Sequence, residues 1–168
     1  MVNGMYNYIL DLLPYKSSFR FVDEIAYLDS DKVIGHYTLK EDAFFYEDHF
    51  VGHPVTPGAI LTEIMAQIGL VVLGIYLVTP VPGGDSTAPG QSDSAPSTFL
   101  DDTPVIPLFT SIEMTFLKMA LPGEKITVIS KKDYFRFDKL KCHVEMQDAS
   151  GALIAKGVFA GIIKKVRA

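Results

Sequence analysis

The feature that most constrains this chain is a run of twenty residues, Ala59 to Val78 (AILTEIMAQIGLVVLGIYLV), apolar around almost its whole circumference and carrying a single charge, Glu63. Such a run has the length of a bilayer span. A lone carboxylate in its first half, with Gln67 one turn later, is costly in hydrocarbon. No membrane span is expected; the run reads as a fully buried helix in a soluble domain. The 168 residues, 48% hydrophobic and 21% charged, can close one core around that helix and are too few for two ordinary domains. Residues 1–168 are therefore expected to form a single domain.

Thr56-Pro57-Gly58 opens the helix with a capping hydroxyl, a proline at the first helical position and a residue without Cβ. Upstream, residues 5–13 read as a short amphipathic helix ended by Pro14. Phe19 to Leu28 and Lys32 to Leu39 read as strands joined by the turn chemistry of Asp29-Ser30-Asp31. Downstream, residues 79–107 hold 6 of the 10 prolines and no basic residue, a composition that cannot order itself alone and reads as an insertion. Four strands follow, near Leu108 to Lys118, Lys125 to Phe135, Lys139 to Gln147 and Leu153 to Lys164. The third alternates cleanly, with Leu140, Cys142, Val144 and Met146 on one face. The order predicts an α+β domain, a mostly antiparallel sheet packed on one helix.

The net charge of −5 excludes a protein built around a polyanion, so nucleic acid is not an expected partner. Charge is unevenly spread: residues 109–168 carry 11 basic and 6 acidic side chains. That third reads either as solvated strand faces or as a docking patch for an acidic partner. One cysteine, Cys142, rules out an internal disulfide. Met1 to Leu13 lacks a basic segment before its apolar run, so a cytoplasmic location is the expectation.

Of the four histidines, His36 and His143 read as ordinary sheet residues. His49 and His53 sit in a Gly/Pro-bounded loop feeding the long helix. Their spacing of four matches zinc ligands on a helix, but Gly52 and Pro54 break any helix there and no third ligand accompanies them. No metal site is expected. No G-x-S-x-G elbow is present, and Cys142 lies on the apolar face of a strand. What remains is acid–base chemistry. Glu63, within an apolar helix, would be held protonated by desolvation and act as a general acid, unless it is hydrogen-bonded for packing alone. A His base paired with a Glu acid suits β-elimination next to a carbonyl. The N–H of Gly58 at the helix start could polarise that carbonyl.

The segment His49-Phe50-x-Gly52-x-Pro54-Val55-x-Pro57-Gly58, followed by Leu61, Glu63, Met65, Ala66 and Gln67, resembles the signature of the 3-hydroxyacyl-[acyl-carrier-protein] dehydratases of the hotdog fold. Leu12-Leu13-Pro14, Phe19, Val22 and Asp23 are similar to that family's opening, and Phe116, Pro122-Gly123 and Ala155 to Ala160 to its later strands. The resemblance spans nearly everything except residues 79–107. It implies a long central helix wrapped by a six-stranded sheet and an obligate dimer, with assembly into a trimer of dimers in some members. It also implies His49 and Glu63 as catalytic residues meeting across the subunit interface, Val55 orienting the His through its carbonyl, Gly58 binding the thioester oxygen and Gln67 positioning the carboxylate. The implied partner is acyl carrier protein, with no cofactor. Asp48 replaces the usual Gly before the His, where it would act on His49 or on the loop; Val51 replaces a Pro and Thr56 the usual Met. A hotdog thioesterase and a non-catalytic acyl-carrier or acyl-chain binding subunit are the alternative readings.

Overall fold

Covering an apolar helix takes a curved sheet, and this chain supplies six strands for one helix. The computed structural model describes residues 6–79 and 105–165. After α1 (Asn7–Asp11) and a 3-10 turn (Ser17–Phe19) come β1 (Glu24–Leu28), β2 (Lys32–Thr38) and a second 3-10 turn (Phe44–Tyr46). The central helix, Gly58–Val78, consists of α2 (Gly58–Ala66), a π-helical turn (Gln67–Val72) and α3 (Leu73–Val78). β3 (Val105–Phe116), β4 (Lys125–Arg136), β5 (Lys139–Gln147) and β6 (Leu153–Lys165) complete the fold. The sheet order is β1-β2-β4-β5-β6-β3, and all five pairings are antiparallel.

The alternation read in β5 holds: Leu140, Cys142, Val144 and Met146 are all buried. With Ile126, Val128, Ile154 and Phe159 they form the floor on which Ile64, Met65, Ile68 and Leu73 of the helix pack. Among the described residues, the one helix long and apolar enough to span a bilayer is thus a core helix, with 72% of its most apolar stretch buried inside the fold. Burial pushes the Cys142 thiol up to about 11, so at neutral pH it is an uncharged core side chain.

Some boundaries depart from expectation for identifiable reasons. Phe19 to Asp23 is not a strand. The Phe21 N–H goes to the Gln67 side chain, and Asp23 ties itself to β2, donating its N–H to the His36 carbonyl and accepting the Thr38 N–H on its carboxylate. The 29–31 turn forms as read, with Asp29 Oδ1 accepting from the N–H groups of Asp31 and Lys32 at 2.8 Å each. β3 starts three residues earlier than Leu108 and includes Pro107, which is tolerated because β3 is an edge strand paired only with β6. Residues 80–104 of the expected insertion lie outside the described residues.

The helix lies close against the sheet at Gly69, in the π-helical turn. A Cβ there would lie 2.8 and 3.0 Å from the two methyls of Val144 and 3.2 Å from Ser130 Cβ. The buried Ser130 hydroxyl donates to the Gly69 carbonyl at 2.8 Å, tying the turn to β4. Gly69→Ala should therefore lower stability by about 1–3 kcal/mol through overpacking, measured as a reduced urea midpoint at unchanged slope. An unchanged midpoint would mean the helix can shift away at no cost.

Candidate active site

The loop between the second 3-10 turn and the central helix carries His49. It is turn rather than helix, as Gly52 and Pro54 require: Phe50 and His53 exchange backbone hydrogen bonds (3.1 and 2.8 Å), and Gly52 takes φ +73, which glycine adopts without penalty. The His49–Phe50 peptide is cis. His49 is half-buried and its ring stacks on Phe50 with centroids 4.1 Å apart. Its Nδ1 lies 2.9 Å from the Val55 carbonyl oxygen. A carbonyl only accepts, so in this bond Nδ1 carries the proton and Nε2 is left with its lone pair. Asp48 is exposed and forms no ion pair with His49 among the described residues.

The helix begins at Gly58, with Pro57 as its N-cap and no side-chain cap. The expected capping role of Thr56 is not realised, because its hydroxyl is held by the Tyr46 hydroxyl at 2.6 Å. The first N–H groups to fold back on the Pro57 carbonyl are those of Ile60 and Leu61, which leaves the Gly58 N–H ahead of the helical ladder. A Cβ on Gly58 would stand 3.1–3.4 Å from ring carbons of Phe116, so glycine here admits an aromatic ring over the helix start.

Glu63 is half-buried rather than fully enclosed. Gln67, fully buried, donates through Nε2 to Glu63 Oε1 and to the Phe19 carbonyl, each at 2.8 Å, and accepts the Phe21 N–H on Oε1 at 2.8 Å. One carboxylate oxygen of Glu63 is thus anchored through a buried amide to the N-terminal segment. Tyr15 belongs to the same neighbourhood: burial, with the nearby Glu63 carboxylate second, pushes its phenol above the ordinary range. Sequence reasoning missed Tyr15. No spacing rule links residues 15 and 63; the contacts of Gln67 with Phe19 and Phe21, together with the burial of Leu13, Phe21 and Val22 in the core, bring that segment over the helix.

The structure therefore brings His49 together with Val55, and Glu63 with Gln67. It does not join the two pairs: among the described residues no hydrogen bond or ion pair connects His49 to Glu63. The basic third is narrower than its composition suggests. Lys132 pairs with Asp31 at 3.0 Å and Lys141 with Asp133 at 3.2 Å, whereas Lys131, Arg136 and Lys139 make no ion pair among the described residues.

Residues 13–95 match the FabA-like domain family. The 3-hydroxyacyl-[acyl-carrier-protein] dehydratase FabZ of Nitratidesulfovibrio vulgaris is 32% identical over 123 residues, 70% of this chain and 64% of that protein. The FabZ of Geobacter metallireducens is 34% identical over 64 residues, 38% of this chain and 43% of that protein. The chain thus spans less than two thirds of the length of these relatives. Among solved structures, the dehydratase heterocomplex ApeI:P from Xenorhabdus doucetiae superposes with a TM-score of 0.68 at 12% identity, covering 94% of this chain and 91% of that one. Zebra fish thioesterase superfamily member 2 does so with 0.60 at 15%, covering 97% and 96%. At such identities the likeness is one of fold alone. A dehydratase and a thioesterase by name share it, so the fold does not choose between those chemistries.

Gln67→Leu keeps the volume but removes every partner of this amide. It should cost roughly 1–3 kcal/mol for each backbone group left unpaired, the Phe19 carbonyl and the Phe21 N–H, read by urea denaturation. A midpoint equal to wild type would show that water replaces the amide.

Proposed function

We propose that this chain, whose residues 13–95 match the FabA-like domain family, dehydrates 3-hydroxyacyl thioesters carried on acyl carrier protein to trans-2-enoyl thioesters. The observation that carries this reading is the His49–Val55 hydrogen bond, which leaves Nε2 as a base of fixed direction beside the start of the central helix. Nε2 takes the proton α to the thioester carbonyl. Negative charge moves onto the thioester oxygen, where the Gly58 N–H and the positive end of the helix stabilise it. The electron pair then forms the Cα=Cβ bond as the Cβ–O bond breaks, and Glu63 gives its proton to the departing hydroxyl, which leaves as water. Gln67 holds one oxygen of Glu63 and leaves the other for this transfer.

In this reading the working unit is a homodimer, and His49 of one protomer meets Glu63 of the other. The edge strand supports it. β3 pairs on one side only, yet it exposes Ile106, Leu108, Phe109, Ile112 and Phe116, and Leu117 and Met119 follow directly. A long apolar edge of this kind needs a partner to escape uncontrolled pairing. A soluble, cytoplasmic enzyme without a cofactor fits the same reading. Carrier docking rests on Lys131, Arg136 and Lys139.

Incubation with 3-hydroxyacyl and 2-enoyl pantetheine thioesters should interconvert them without releasing thiol. Thiol release alone would replace dehydration by thioester hydrolysis, and silence in both would leave a binding subunit. His49→Ala and Glu63→Gln should each lose about 10²–10⁴-fold in rate. Mixing the two inactive variants should restore about a quarter of wild-type activity, because half of the re-paired dimers are mixed and each has one intact site. Absence of recovery would place both residues in one chain. On carrier-linked substrate, raising ionic strength from about 0.05 to about 0.5 M should weaken turnover several-fold, with pantetheine substrates little affected. Equal salt responses would remove the basic residues from docking.

A further inference from the structure

The His49 loop leaves the body of the protein at Tyr46 and rejoins it at Thr56. Between them Phe50, Val51, Gly52, His53 and Pro54 are exposed, so packing does not hold the loop in place. Its inner bonds are backbone ones, from His49 N–H to the Phe45 carbonyl at 2.9 Å and from Val55 N–H to the His49 carbonyl at 3.0 Å. Two attachments sit at its base. The Thr56 N–H donates to the Ala120 carbonyl at 2.8 Å, and the Tyr46 and Thr56 hydroxyls meet at 2.6 Å. Both residues are buried, at 7% and 3% exposure.

Phenylalanine and valine would fill the same space without polar atoms. Here one buried hydroxyl donates to the other, and either alone would lose that partner. Their bond joins the residue that opens the loop to the residue that closes it. Thr56 directly follows Val55, whose carbonyl orients the His49 ring, and stands two residues before Gly58. A shift of Thr56 therefore moves the acceptor that aims the base and the N–H that receives the thioester oxygen.

Building on the dehydration proposed above, we infer that Tyr46 and Thr56 form a clasp that positions His49 and the Gly58 amide for the reaction, acting through loop geometry without touching substrate. Tyr46→Phe and Thr56→Val should each lower kcat about 10-fold, as a misplacement well under 1 Å would, with KM within about twofold of wild type. The double variant should be no worse than the poorer single, since one bond is lost in every case. Thr56→Ser, which keeps the hydroxyl, should stay within about threefold of wild type. Assays run well below each variant's Tm separate positioning from unfolding.

Single variants within twofold of wild type, additive losses, or Thr56→Ser as poor as Thr56→Val would overturn the clasp. If the wild-type protein neither dehydrates nor hydrates, the proposed reaction falls but the clasp is still read from the ring 15N signals of His49 under conditions where the ring is neutral. Wild type and Thr56→Ser should show the Nδ1–H tautomer alone, and Tyr46→Phe and Thr56→Val a mixture. Identical spectra in all four would sink it.

Discussion

Everything in this structure answers to the need to bury a helix that is apolar nearly all round. Water leaves such a surface only if protein replaces it on every side, and the sheet does most of that through β4, β5 and β6, whose inward residues are close to fully buried. The polar groups that must enter this environment then have to be satisfied in place. Gln67 is: both atoms of its amide are hydrogen-bonded. Ser130 is likewise satisfied by the Gly69 carbonyl. No buried side-chain nitrogen or oxygen lacks a partner among the described residues, as an interior of low dielectric demands.

The candidate site is a by-product of the same requirement. A helix that must start inside the protein presents N–H groups that its own ladder cannot use, and the chain entering it has to turn sharply. The turn holds His49, the first residue of the helix is Gly58, and Glu63 and Gln67 share a face one turn apart. The residues proposed as base, anion-stabilising amide and acid thus fall within one continuous stretch of fifteen residues, His49 to Glu63.

Much of this was legible beforehand because it depends on local pattern. The two-residue alternation of β5 and the Asx turn at Asp29 need no distant partner to be read. The errors all have tertiary causes. Phe19 to Asp23 has strand chemistry, but its hydrogen bonds go to Gln67, 46 residues from Phe21, and across to β2. Thr56 has the right chemistry to cap a helix, and Tyr46 competes for the same hydroxyl and wins. Pro107 argues against a strand unless its neighbours are known to lie on one side only. The pairing of His49 with Glu63 rests on the resemblance of the motif; among the described residues no hydrogen bond or ion pair joins them.

The π-helical turn has a consequence for how this helix can vary. Its wider winding adds a residue that an α-helix would not need, so side chains beyond Val72 are rotated by about 100° relative to a regular continuation from Gly58. The half bearing Glu63 and the half bearing Leu73 and Ile75 therefore have separate angular settings. Removing one residue between positions 67 and 72 would let the winding close to a regular α-helix with both halves still aimed as they are, whereas removing one from either α-helical half would rotate the residues beyond it by about 100°. The helix is set as two segments, and the turn between them is where its length can change without a rotation.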